Sequence, residues 1–286
     1  MRTARLALAL AGAALACPAL ADPGPAEEPL WEGGLGVGGV YFPDYRGASQ
    51  SRGYALPAPY FVYRGRFLQA DRNGVRGVFA GNDLMDLNVS LGASLPVNSS
   101  RDNARAGMAD LKATVEIGPS LEVKLWEAAS ERARLELRMP VRGAITVESS
   151  PRFIGGQFYP HLNLDTIGSG DLEDWHLGLT AGPVFTNARY NKYFYEVTPA
   201  DATPGRPAYT PGGGYAGAEF LAAFSKRFPK YWVGGFLRYD TLRGAAFEAS
   251  PLVTSKNYFA AGIAISWIVG DSKERVPVTE LGERKR

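Results

Sequence analysis

The sequence predicts an all-β protein, a closed antiparallel transmembrane barrel of about twelve strands behind a cleaved N-terminal signal peptide. Three observations point there. Apolar and polar residues alternate with period two over unusually long runs, no segment after the leader has the apolar length of a spanning helix, and long connections alternate with short ones. The chain has 286 residues, 45% hydrophobic and 12% aromatic, which is ample for a folded domain and excludes disorder.

Residues 1–21 read as the signal peptide: Arg2 and Arg5 give a positive start, Leu6 to Ala16 an apolar stretch, and Ala19-Leu20-Ala21 a small-residue cleavage site. Cleavage is expected between Ala21 and Asp22. Cys17 offers a second reading as a lipid-carrying cysteine; Ala14, where a lipobox usually has Leu, and Pro18 stand against it. Removal of the leader takes away two Arg and the one Cys, leaving 29 basic and 29 acidic residues. The mature chain then carries no net formal charge and no disulfide. That balance gives no case for nucleic acid, which needs a clustered basic face. With two His and no Cys remaining, multi-ligand zinc sites and thiol catalysis lack material, and no cofactor or metal is expected.

After a short segment at 22–30, the first strand is expected at 32–41. Its glycines miss the spacing of a dinucleotide fingerprint, and no helix follows. Further strands are predicted at 54–64, 66–72, 75–81 and 86–96. The two longest, 110–127 and 132–148, are joined as a hairpin through 128–131. Their apolar parity holds Val115, Ile117, Leu121, Val123, Leu125, Leu135, Leu137, Val141 and Ile145. Their polar parity holds Lys112, Glu116, Glu122, Lys124, Arg134, Glu136 and Arg138. Successive side chains of a strand point to opposite faces, so each run has one apolar and one charged side. Soluble strands usually run about 3–10 residues, and these are longer. Strands at 153–166, 175–190, 215–227, 231–242 and 256–269 complete the barrel.

With the N-terminus placed in the periplasm, the connections sort by length. The long ones, 42–53, 97–109, 191–214 and 243–255, fall outside with two short ones, while the periplasmic turns are almost all short. The seven charges of the polar parity then face the lumen. Charge of both signs on one face favours a filled, mutually neutralised interior; a selectivity ring in a conducting pore is the other reading. Catalysis is not expected. His161 and His176 are the only imidazoles: His161 has no nearby serine, His176 beside Trp175 reads as an interfacial ring near the periplasmic rim, and Asp171, Glu173 and Asp174 read as a solvated turn.

Three ordered segments carry a family resemblance. They are Tyr41-Phe42-Pro43-Asp44-Tyr45-Arg46-Gly47 with the Pro- and Tyr-rich stretch at 56–65, Tyr193 to Pro199 with Pro207 to Gly214, and Ser250-Pro251-Leu252-Val253. Together they resemble the MipA/OmpV family of outer-membrane proteins, with Pro43, Asp44, Tyr45, Gly47, Tyr193, Phe194, Pro199, Tyr209, Pro211, Gly213, Ser250 and Pro251 on the matching positions. The chain departs in two places. Tyr195-Glu196 stands where the family has one Gly, and a tail at 270–286 follows Trp267-Ile268-Val269, where the family ends on a Phe. The resemblance implies residence in the lipid of a Gram-negative outer membrane. It also implies a scaffold that bridges a lytic transglycosylase and a penicillin-binding protein, although other members are porin-like or adhesive. The barrel is expected over 31–269, the loop 191–214 outside and partly ordered, and the charged tail 270–286 in the periplasm.

Overall fold

A computed structural model describes residues 27–65, 68–71, 74–77, 80–81 and 84–281. The cleavage site at Ala21 and Asp22 lies outside the described residues. In chain order the strands are β1 Glu27–Pro29, β2 Trp31–Pro43, β3 Ser51–Pro57, β4 Tyr60–Arg64, β5 Leu68–Asp71, β6 Gly74–Gly77, β7 Ala80–Gly81, β8 Met85–Ser94 and β9 Thr114–Glu127. They continue with β10 Ala133–Thr146, β11 Phe153–Phe158, β12 His161–Ile167, β13 His176–Thr186, β14 Gly214–Arg227, β15 Tyr231–Thr241, β16 Asn257–Asp271 and β17 Arg275–Pro277. An α-helix, α1, spans Ala188–Tyr195.

Strands β2 to β16 form one antiparallel sheet in which chain neighbours pair. Two pairs of short strands are halves of a single stave. Both β3 and β4 pair with β2, separated by Ala58-Pro59, and both β11 and β12 lie between β10 and β13, separated by Tyr159-Pro160. A proline has no N–H to give a ladder, so each stave breaks where its proline stands. Strands β6 and β7 similarly share one course, pairing with β5 and β8 respectively. Counted as staves, the described strands number twelve, and the first pairs with the last through Glu32 to Tyr41 against Ala261 to Asp271.

The sheet is inside-out. Leu35, Ile117, Val141, Leu237, Ile263 and Trp267 are exposed on one face, whereas Glu32, Glu116, Arg138, Asn163, Asp165 and Asp240 are buried on the other. A water-soluble sandwich buries its apolar parity; hydrocarbon as the surrounding solvent reverses the preference. The seam between β2 and β16 is especially tight. A Cβ at Gly36 would run into the Ile265 carbonyl and the backbone of Ser266. The apolar core gathers at one end of the sheet, where loops and α1 bring Tyr45, Leu111, Phe194, Tyr195, Phe247 and Leu252 together with Ile154, Val184, Ala216 and Tyr258 of the strands.

The structure corrects four expectations. The strand expected at 175–190 stops at Thr186. Asn187 then caps α1, its Oδ1 accepting the Tyr190 N–H at 2.9 Å, and Tyr190 packs on Phe194 one turn later at 5.1 Å. The period-two pattern gives way there to local capping. The strand expected from 110 begins at Thr114, because Leu111 is drawn into the loop core and bridges Val97. Lys112 therefore sits in a loop, exposed, rather than on the inner face. The last strand runs on to Asp271, and the described part of the tail, through Leu281, packs against the sheet's end. Its β17 pairs antiparallel with β1, and Val276, Val278 and Leu281 are buried.

The facing assignment predicts that Ile117→Arg lowers folding yield into lipid vesicles while Ile117→Ala changes it little, since an outward cation near the bilayer midplane costs roughly 2–4 kcal/mol. Heat-modifiability on gels reads the yield, and equal yields would refute the assignment. Gly36→Val is expected to block folding outright by separating the first stave from the last, whereas Gly39→Val, where a Cβ meets nothing within 4 Å, is tolerated in the same assay.

Candidate functional site

Strand parity delivers the inner charges. Along β10, Arg134, Glu136 and Arg138 project to one side, and Glu136 takes both cations: Arg134 Nε lies 2.8 Å from Oε1 and Arg138 Nη2 2.8 Å from Oε2. Arg138 also reaches Asp165 on β12 at 3.4 Å, and Asp165 accepts from Asn163 Nδ2 at 2.7 Å. Glu116 on β9 lies 3.8 Å from Arg142, whose Nε and Nη2 both donate to Ser90. Glu122 is buried. Lys124 is half-buried and pairs with Glu127 at 2.9 Å. A bulge at Leu125 lets both it and Trp126 face outward, and the inner face resumes at Glu127.

A second cluster, which the sequence reading missed, lines β14 and β15. Glu219 and Asp240 are directly paired across these strands, with Arg238 3.8 Å from Glu219 and 2.8 Å from Asp240. Tyr159 donates to Glu219 at 3.4 Å. The signal was available, because both carboxylates lie on the polar parity of predicted strands. Glu219 stands alone among Ala residues and Asp240 follows Arg238-Tyr239, so neither belongs to a run of alternating charges like that of β9 and β10.

One end of this interior is covered by the family-like stretches 41–47, 193–199 with 207–214, and 250–253, whereas the stretch 56–65 lies in β3 and β4 of the wall. Asp44 accepts two bonds from Arg52, at 2.7 and 3.1 Å. Pro43 ends β2, and Tyr45 Oη donates to the Leu252 carbonyl at 2.7 Å. Gly47, at φ 94°, accepts the N–H groups of Thr254 and Ser255. Its left-handed backbone makes glycine the natural residue there. Tyr195 stacks on Phe247 at 3.8 Å and accepts Ser250 Oγ–H at its carbonyl, beside half-buried Pro251. Tyr193 contacts the Lys112 backbone, and Phe194 accepts from Arg105. Val197 bridges Tyr209, Gly213 lies against the start of α1, Pro211 is buried and Pro199 exposed. Burial pushes the phenols of Tyr45 and Tyr195 well above their usual range, so both remain neutral donors. Tyr195-Glu196, the departure from the family pattern, forms the end of α1 and buries its ring at the centre of the cover.

Two struts tie this cover to the wall. Arg46 Nε reaches Asp240 at 3.1 Å and Tyr258 Oη at 3.1 Å, and Tyr190 Oη donates to Glu116 at 2.8 Å. At the opposite end Glu32, fully buried, receives Arg227 at 2.7 Å and Arg64 at 3.2 Å. The tail crosses this end: it leaves β16, the last stave, and Glu280 comes within 3.7 Å of Arg132, beside β10 halfway around the sheet. His161 stacks on Tyr159 at 4.3 Å and bonds its carbonyl, while His176 opens β13. Among the described residues no group of His, Cys, Asp and Glu could hold a metal ion.

Glu136→Gln is expected to destabilise the protein by about 3–5 kcal/mol, because two buried guanidinium groups lose their shared carboxylate. Lys124→Gln, which breaks a half-exposed pair, is expected to cost under about 1 kcal/mol. Urea unfolding midpoints in detergent check the difference, and equal shifts would contradict a desolvated interior.

Comparison with known proteins bears on this arrangement. The family described as MltA-interacting protein MipA matches residues 35–269. The outer membrane proteins OmpV of Vibrio cholerae and Omp26La of Vibrio anguillarum are each 24% identical over 213 residues, covering 72% of this chain and 76% of theirs. A bacterial polysaccharide outer membrane secretin aligns over 84% of the chain at 7% identity with a TM-score of 0.39, covering 99% of its own length. The toluene transporter TbuX of Ralstonia pickettii aligns with a TM-score of 0.23, at 9% identity, covering 87% of this chain and 71% of its own.

Proposed function

The chain belongs to the MltA-interacting protein MipA family of outer-membrane proteins, and on that basis we propose that it works without chemistry, as a closed and filled barrel that recruits cell-wall enzymes at its periplasmic end. The observation that carries the reading is the state of the interior: among the described residues its charges pair with one another, the loop cluster lies over one end and the tail crosses the other. A barrel organised this way offers a partner its ends rather than its lumen. The family description names MltA, which supports a lytic transglycosylase as the first enzyme to test; a penicillin-binding protein, implied only by the sequence resemblance, is the second. The periplasmic end presents exposed charge of both signs, including Asp271, Lys273, Glu274 and Arg275. Such charges speed encounter and fix register more than they add affinity.

Charge reversal at Lys273, Glu274 and Arg275 together is expected to leave heat-modifiability intact and to weaken capture of a purified lytic transglycosylase several-fold, with the wild-type interaction falling as salt rises. Unchanged capture would remove the tail from the contact. In planar bilayers the wild-type protein is expected to give no single-channel steps. Steady conductance, with no capture of any murein enzyme, would replace this reading with a porin-like one.

A further inference from the structure

The rim of the sheet beside α1 carries positive charge that neither the interior nor the proposed periplasmic contact uses. Arg189 and Lys192 stand one turn apart on the exposed side of α1, whose other side buries Asn191, Phe194 and Tyr195. The Arg189 guanidinium lies 5.1 Å from the ring centre of Phe153, which is 47% exposed on the outward face of β11. Exposed Arg152 precedes that ring, and Lys112 is fixed at the same corner by two hydrogen bonds between its backbone and Tyr193 Oη, at 2.8 and 3.2 Å. Two acids stand nearby. Glu148 is already engaged by Arg152 at 3.0 Å and by Thr146 Oγ1 at 2.7 Å, and Glu196 closes the helix. The cations still outnumber the acids, and neither Arg189 nor Lys192 forms an ion pair among the described residues. Directly beneath lies an apolar band, with Val147, Phe158 and Phe185 exposed and the two phenylalanines stacked at 6.2 Å.

We propose that this corner binds the phosphorylated head of an outer-leaflet glycolipid, with a phosphate between Arg189 and Lys192 and the acyl chains against Phe158 and Phe185. A guanidinium held over a lipid-facing ring is poorly placed for water and well placed for an anion at the membrane surface. Its planar fork matches phosphate oxygens two at a time, and Lys192 adds a point charge from the same helix face. The cover beneath gives the helix a rigid seat, so the cations are arranged before lipid arrives. The assignment rests on the proposed orientation, which puts α1 on the outer side.

The experiment uses the full chain in detergent, titrated with bisphosphorylated lipid A and with fully dephosphorylated lipid A, and read by native mass spectrometry. The phosphorylated lipid is expected to bind at least ten-fold more tightly. The double variant R189Q/K192Q should lose that preference, while R243Q, at another exposed loop position, should keep it. Inorganic phosphate in excess should not displace the lipid; if it does, the site takes phosphate alone and the glycolipid assignment falls. Equal binding of the two lipids, or an unaltered preference in the double variant, overturns the proposal. Orientation is read separately by labelling Lys192→Cys with an impermeant maleimide on intact cells. Labelling with no phosphate preference overturns the lipid site but not the orientation, and labelling only after permeabilisation overturns both.

Discussion

Hydrocarbon supplies no hydrogen bonds, so a strand crossing a bilayer needs a bonded neighbour on each side. This constraint explains why the first stave must meet the last, and it places the greatest demand on β2 and β16, which are separated by nearly the whole chain. The glycines of β2 answer it. Gly34 and Gly36 let the β16 backbone approach closer than any side chain would allow, and the register runs from Glu32 to Tyr41 with one irregularity. The same constraint fixes the sign of everything else. Once the outward parity is surrendered to lipid, the inward parity must be polar, and twelve staves bring that polarity together in a confined space.

Confinement turns polarity into a pairing problem. Charges lifted out of bulk water are tolerated when each meets an opposite charge or a hydrogen-bond partner. Glu136 solves it along one strand, between Arg134 and Arg138, whereas Asp240 solves it between a wall residue, Arg238, and a loop residue, Arg46. The second solution has a structural consequence. Arg46 belongs to the first loop, so an inner ion pair also anchors the cover. Tyr190, bonded to Glu116, does the same from α1. Interior electrostatics and loop packing are therefore one assembly, and loops far apart in sequence converge on Tyr195 because their tethers hold them there.

The sheet was legible in the sequence because side-chain parity has only two states and hydrocarbon enforces one of them. Val115, Ile117 and Leu121 could only face outward if Glu116, Ser120 and Glu122 faced inward, and the burial follows that split. Parity fails at strand ends, where local chemistry competes. Asn187 can cap a helix as readily as Tyr190 can extend a strand, and nothing in an alternating pattern distinguishes them. Lys112 shares the parity of Glu116 yet leaves the sheet, because Leu111 before it packs into the loop core. The ion pairs of Arg46 and Glu280 were beyond reach for another reason. Each joins residues more than a hundred positions apart through loop or tail geometry, which no periodicity encodes.

The covers also constrain where recognition can occur. Opening the interior on the loop side would require parting Arg46 from Asp240 and Tyr195 from Phe247, a charged contact and a stacked one, within the same buried cluster. Opening it on the tail side meets less resistance: Arg132 and Glu280 are both substantially exposed, so their attraction is screened at physiological salt over about 8 Å. The three-residue ladder between β1 and β17 and the burial of Val276, Val278 and Leu281 then hold most of the tail's position. Short ladders with little buried area sit at the low end of local stability. The end crossed by the tail is thus the yielding end of a molecule that is otherwise tied together, and a partner docking there could reshape the tail without disturbing a single pair in the sheet.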